Sequence, residues 1–306
     1  MRAVRELAMP TGSEPESVWP LGAELGEGPV WSARERALWF VDIKRCLIHR
    51  RDELTGQTRS WVTPSAPGFL APLGGGGFIA GLKTGLHRFD PLDGRFSLIT
   101  EVAGEPAGNR LNDGAADSLG RLWFGSMDDG ETARTGRLYR LDRNGLEAVD
   151  DGYAITNGPA ASPDGRVLYH TDSLERTIYA FDVDEAGGLH GRRVFVRIEE
   201  GAGYPDGSTV DAEGCLWTAL WSGWAVRRYS PGGQLMQEVR LPCANITKLA
   251  FGGEDLRTAY VTTARAGLDA AALAAQPLAG GLFRFRAEVA GQPQAVLDDA
   301  LAQPHP

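Results

Sequence analysis

Four phrases in the chain set an oxygen-bearing side chain next to, or one residue from, a glycine: Glu27 in EGPVW, Asn112 and Asp113 in NDGAA, Asn157 in NGPAA and Asp206 in DGSTV. Brought to one point, the carboxylates of Glu27 and Asp206 and the carboxamides of Asn112 and Asn157 make an all-oxygen donor set. Such a set suits a hard divalent cation, calcium, magnesium or manganese, with water or substrate completing the shell. Zinc and ferrous iron are also compatible but draw no support from softer ligands. The histidines (His49, His87, His170, His190, His305) are isolated, and Cys46, Cys215 and Cys243 are scattered. We assign Glu27, Asn157 and Asp206 to the metal and leave Asn112 and Asp113 nearer the substrate. The competing explanation is conformational, since Asn-Gly and Asp-Gly are ordinary turn pairs. It covers Glu27 poorly, because a glutamate before Gly-Pro has no advantage in a turn.

The spacing of these residues says what must position them. Glu27 lies 12 residues before Trp39, Asn112 lies 11 before Trp123, Asn157 lies 12 before Tyr169, and Asp206 lies 11 before Trp217. Those aromatics belong to a wider series of strand-like segments, ALWFVDI, GFIAGL, RLWFGSM, VLYHTD, CLWTAL and TAYVTT. Marked by Trp39, Phe78, Trp123, Tyr169, Trp217 and Tyr260, the series steps by 39, 45, 46, 48 and 43 residues. After each marker comes a second alternating phrase, such as GRLYRLDRNG, that ends in a turn. Six units of this length, none able to bury its sheet face alone, predict an all-β fold, a six-bladed β-propeller. The gate residues then precede the first strand of their units and converge on the central channel. A pair of β-sandwiches does not require the recurrence, and the long helices of a TIM barrel or Rossmann fold are missing. GLDAAALAAQ, Gly267 to Gln276, reads as a short helical insertion in the last unit. Residues 1–20 are taken as an N-terminal extension and 21–300 as one propeller domain.

Composition removes other classes. The formal charge of −9 over 306 residues disfavours a phosphate-backbone binder, so no nucleic-acid partner is expected. There is no membrane-length apolar block and no apolar stretch after the basic N-terminal residues, so no membrane partner is expected and a cytoplasmic location is. GGGGFIAGLKTG has the wrong order for a phosphate-binding loop, and no Gly-x-Ser-x-Gly elbow exists. Trp221 and Trp224 bracket a glycine-containing loop able to wall a sugar-sized pocket.

The phrases LGEGPVW, NRLNDG, ITNGPAASPDG, YPDGSTVDAEGCLW and LAFGGEDLRTAYVTTAR, in this order over Gly22 to Phe285, resemble the senescence-marker-protein/gluconolactonase/luciferin-regenerating-enzyme-like, or regucalcin-like, family of six-bladed propellers. The resemblance implies a divalent-metal-dependent lactonase acting on sugar-acid lactones. It implies metal ligands at Glu27, Asn157 and Asp206 and substrate contacts at Arg110 and Asn112. A family glutamate after a Gly-x-Met segment falls in GSMDDGETA, where Asp128, Asp129 and Glu131 are available; Glu131 is assigned to substrate after a one-residue shift. Asp206 is the expected base and Asp113 the reserve. A non-catalytic calcium-binding propeller and a metal-dependent aryl-ester or organophosphate hydrolase are the rival readings. Glucono-, galactono-, arabinono- and xylonolactone differ by one hydroxyl orientation or one carbon, so the sequence does not choose among them, nor does it reveal the oligomeric state.

Overall fold

The structure is a computed structural model and describes residues 14–303; His305 and most of the N-terminal extension lie outside the described residues. Strand β1 (Glu16–Trp19) comes first in the chain but is used last. The first blade is β2 (Gly26–Ser32), β3 (Ala37–Asp42), β4 (Leu47–Asp52) and β5 (Thr58–Val62). The second is β6 (Pro67–Pro72), β7 (Phe78–Leu82), β8 (Gly85–Asp90) and β9 (Arg95–Thr100), and the third β10 (Asn109–Ala116), β11 (Leu122–Asp128), β12 (Gly136–Asp142) and β13 (Gly145–Tyr153). The fourth is β14 (Thr156–Ala161), β15 (Val167–Asp172), β16 (Thr177–Val183) and β17 (Leu189–Arg197). The fifth is β18 (Tyr204–Val210), β19 (Leu216–Trp221), β20 (Ala225–Tyr229) and β21 (Leu235–Arg240). The sixth holds β22 (Ile246–Gly252), β23 (Thr258–Thr263) and β24 (Leu282–Arg286), and β1 completes it as its outer strand. Glu16–Trp19 therefore belongs to the propeller rather than to an extension. Trp19 meets Phe40 and His49 edge-on, and Arg284 Nε donates to Glu16 Oε1 at 2.6 Å.

Burial follows position in the blade. Every residue of β3 is buried, because neighbouring blades cover both faces, while β5 keeps only Trp61 inside. The aromatic markers lie on the second strands, so the gate residues lie within the innermost strands and not ahead of the first ones. Between the two strands, blades three and five share a device: Trp123 Nε1 donates to Asp117 Oδ2 at 2.7 Å, and Trp217 Nε1 to Asp211 Oδ2 at 2.9 Å. A buried indole N–H needs an acceptor, and this aspartate supplies it while bracing the turn. The short insertion folds as α1 (Ala270–Ala275), with Asp269 as its N-cap accepting from Ala272 N–H. The chain end crosses the face opposite the gate residues, where Leu297, Leu301 and Ala302 join the core of blades two and three. Among the described residues no helix is long and apolar enough to cross a membrane.

Candidate functional site

All six innermost strands break register at the same level. The shifts fall at Glu27 to Val30, Pro67 to Phe69, Leu111 to Gly114, Asn157 to Ala160, Pro205 to Ser208 and Ile246 to Lys248. A bulge inserts an unpaired residue and re-aims its side chain. Gly28 and Gly158, at φ +53° and +47°, take the left-handed backbone that a side chain would strain. Their Glu-Gly and Asn-Gly pairs thus serve mid-strand bulges, where the turn explanation expected hairpins.

The bulges gather buried polar groups at one end of the tunnel: Glu27, Arg110, Asn112, Asp113, Asn157, Asp206 and Lys248 are each at most 7% exposed. Asn112 is locked, with Oδ1 accepting from Arg110 Nη1 at 2.5 Å and Nδ2 donating to Thr156 O at 2.6 Å and Asn157 Oδ1 at 2.9 Å. Asn157 Nδ2 donates to Ser173 Oγ at 2.9 Å, and that hydroxyl donates to Pro205 O at 2.7 Å. These bonds tie blades three, four and five; Thr247 Oγ1, donating to Gly26 O at 2.6 Å, ties six to one.

The electrostatics are those of crowded acids. Burial, then the Asp113 charge, push Glu27 up to about 8, against its bond from Gly28 N–H and the charges of Lys248 and Arg110. Burial, then Glu27 and Asp113, push Asp206 well above the ordinary carboxylate range. Among the described residues no side chain donates a hydrogen bond to Glu27 or Asp206. Two buried carboxylates with unclaimed oxygens, beside an amide oxygen that keeps a lone pair, fit a hard divalent cation. No three His, Cys, Asp or Glu side chains among the described residues stand together as a metal-holding group; a cation held here would take two carboxylates, a carboxamide and further oxygens.

Arg110 carries the rim. Its Nε donates to Asp129 Oδ1 at 2.9 Å, and Lys44 and Lys83 reach the same carboxylate at 3.3 and 3.1 Å. Burial opposes ionisation of Asp129, but the three cations hold its pKa below the usual range. Glu131 is exposed at φ +57°, and it is Asp129 that bonds Arg110; Glu131 acts on Arg110 through charge alone. Asp113 is engaged at both oxygens, accepting from Gly114 N–H, Gly158 N–H and Lys248 Nζ at 2.8, 2.8 and 2.5 Å. Trp221 and Trp224 sit at the β19–β20 turn, Trp224 38% exposed. His49 bonds Ser60 Oγ at 2.7 Å inside the first blade, away from the tunnel.

Lys248 is the site residue that the ligand pattern misses. It stands 12 residues before Tyr260, at the spacing of Glu27 and Asn157 from their markers, so the same count would have found it. Asp129 had a weaker signal, as one of three acids in GSMDDGETA.

The SMP-30/Gluconolactonase/LRE-like region matches residues 25–265. The chain is 38% identical over 272 residues to a 6-deoxy-6-sulfogluconolactonase of Pseudomonas putida, covering 87% of this chain and 92% of that protein. It is 36% identical over 277 residues to a pentonolactonase of Haloferax volcanii, covering 88% and 93%. The crystal structure of regucalcin, a calcium-binding protein from Agrobacterium tumefaciens, superposes with a TM-score of 0.88 at 28% identity, covering 92% of this chain and 96% of that one.

Proposed function

Because the chain belongs to the SMP-30/gluconolactonase/LRE-like family, we propose that it is a sugar lactonase, opening an aldonolactone to the aldonic acid with the help of one divalent cation. The observation that carries this reading is the buried oxygen cluster of Glu27, Asn157 and Asp206 beside a locked Arg110–Asn112 pair. Glu27, Asn157 and Asp206 would hold the cation, which when bound supplies a Lewis acid for the ring carbonyl and its developing negative charge.

The chain's own groups do the rest. Asp206, through a carboxylate oxygen left free by the cation, takes a proton from the attacking water. As the water oxygen bonds the carbonyl carbon, the ring C–O bond breaks and the proton passes from Asp206 to the departing ring oxygen. Arg110 directs Nε and Nη1 inward to Asp129 and Asn112, which leaves Nη2 for a lactone hydroxyl or carbonyl oxygen. The remaining Asn112 lone pair accepts from a neighbouring hydroxyl.

A calcium-binding protein without turnover is the second reading, favoured by the likeness to regucalcin. Acid release from five- and six-carbon aldonolactones, followed in a pH-stat and corrected for spontaneous opening, separates the two. We expect turnover with added divalent cation. Glu27→Ala and Asp206→Ala each lower it at least about a hundredfold while staying folded. Arg110→Ala raises KM about tenfold with a smaller effect on kcat. Cation binding with no acid release above background, or preferential cleavage of aryl esters or phosphotriesters, contradicts the proposal.

A further inference from the structure

Lys248 occupies the sixth spoke of the gate ring, and we infer that it is a positioning residue that withdraws Asp113 from the cation's donors, leaving Glu27 and Asp206 as the two carboxylates that face the cation. The inference rests on the cation reading proposed above.

Glu27, Asp113 and Asp206 share one buried cluster, but Lys248 does not serve them equally. Its Nζ lies 2.5 Å from Asp113 Oδ1 and is hydrogen-bonded to neither of the others. Blades three and six are opposite in a six-membered ring, so this ion pair spans the tunnel axis. The lysine has little freedom to choose another partner. A Cβ built on Gly207 would fall 2.5 Å from Lys248 Cβ and Cγ and 2.7 Å from Cδ, so the stem fills the space that this glycine leaves open beside Asp206. Asp113 is equally fixed, its second oxygen accepting from Gly158 N–H at 2.8 Å. Both Asp113 oxygens therefore carry donors, Oδ1 two of them, whereas among the described residues Glu27 accepts only from Gly28 N–H at 2.9 Å. Asp113 acts as a counter-ion and not as the reserve base, and the fixed ammonium beside the cluster sets cation affinity lower than three free carboxylates would.

The test is calorimetric titration of Mn²⁺ alone into chelator-stripped, folded protein. Lys248→Met keeps the length and removes the charge; it is expected to tighten Mn²⁺ binding about tenfold or more, because Asp113 is released and a like charge is gone. Lys248→Arg is expected to keep the wild-type affinity, and adding Asp113→Asn to Lys248→Met to abolish the gain. Should Lys248→Met fail to fold, Asp113→Asn alone is expected to weaken Mn²⁺ about tenfold by leaving the ammonium unpaired beside the site. Affinity within twofold of wild type in Lys248→Met, as for a residue that only fills space, overturns the inference, as does weaker binding. Normal wild-type binding with those results overturns this inference alone; a wild type that binds no Mn²⁺ overturns the cation reading as well.

Discussion

Glu27 and Asp206 carry a stability consequence of their own. Glu27 moves from 4.5 to about 8 on folding, so between those values the folded chain binds more protons than the unfolded one. The contribution of Glu27 to the stability of the cation-free protein therefore falls as pH rises through that window. A cation replaces the proton, so its stabilising effect grows in the same direction. Buried His49 and His170, held well below the ordinary imidazole range, add stability as pH rises to about 6.5, so we expect the Tm of chelator-treated protein to drop between about pH 7 and 8, and millimolar Ca²⁺ or Mn²⁺ to raise it more at pH 8 than at pH 5. A Tm that rises over this range without cation contradicts the crowding of these acids. At this scale the gathering of Glu27, Asn112, Asn157 and Asp206 was legible because each stands 11 or 12 residues before an aromatic marker. Lys248 keeps that distance too, but a search for cation ligands passes over an ammonium, which pairs here with Asp113. Asp129 lay hidden for a different reason: which acid of a loop reaches Arg110 depends on turn geometry that spacing does not encode.

Among the strands, the shared feature is a bulge within each innermost one. The Asn-Gly and Asp-Gly pairs look the same in sequence whether they make a turn or a bulge, and only the ladder beside them tells the two apart. The turn that follows is braced by an aspartate in blades three and five. Asp117 accepts from Trp123 Nε1 at 2.7 Å and from Arg121 Nε at 2.6 Å, all three groups being buried. Asp117→Ala would leave a guanidinium and an indole N–H without their acceptor, a loss of roughly 3–5 kcal/mol. We expect a Tm lower by about 10 °C with KM for the lactone unchanged, since Asp117 lies past the bulge from Asn112. An unchanged Tm on thermal melting would remove the brace from the account.

Ring closure belongs to the whole molecule. Six repeats were readable from their aromatics, but the closing strand was not, because ESVW is four residues long and lies ahead of the first marker. It joins the beginning of the chain to β24, which holds blade six, with Lys248, against blade one, with Glu27. Deleting Glu16–Trp19 bares the edge of β24 and weakens the seam between the two blades. We expect broader, lower-temperature unfolding and loss of lactone opening together; full activity in the deleted protein would separate closure from the site. Delivery of oxygens to a single cation by distant inner-strand bulges is tested most directly by anomalous diffraction from Mn²⁺-soaked crystals. One strong peak bounded by Glu27, Asn157 and Asp206, with Asp113 still on Lys248, is the predicted result. No peak there at saturating Mn²⁺, or a peak at another place in the tunnel, would contradict it.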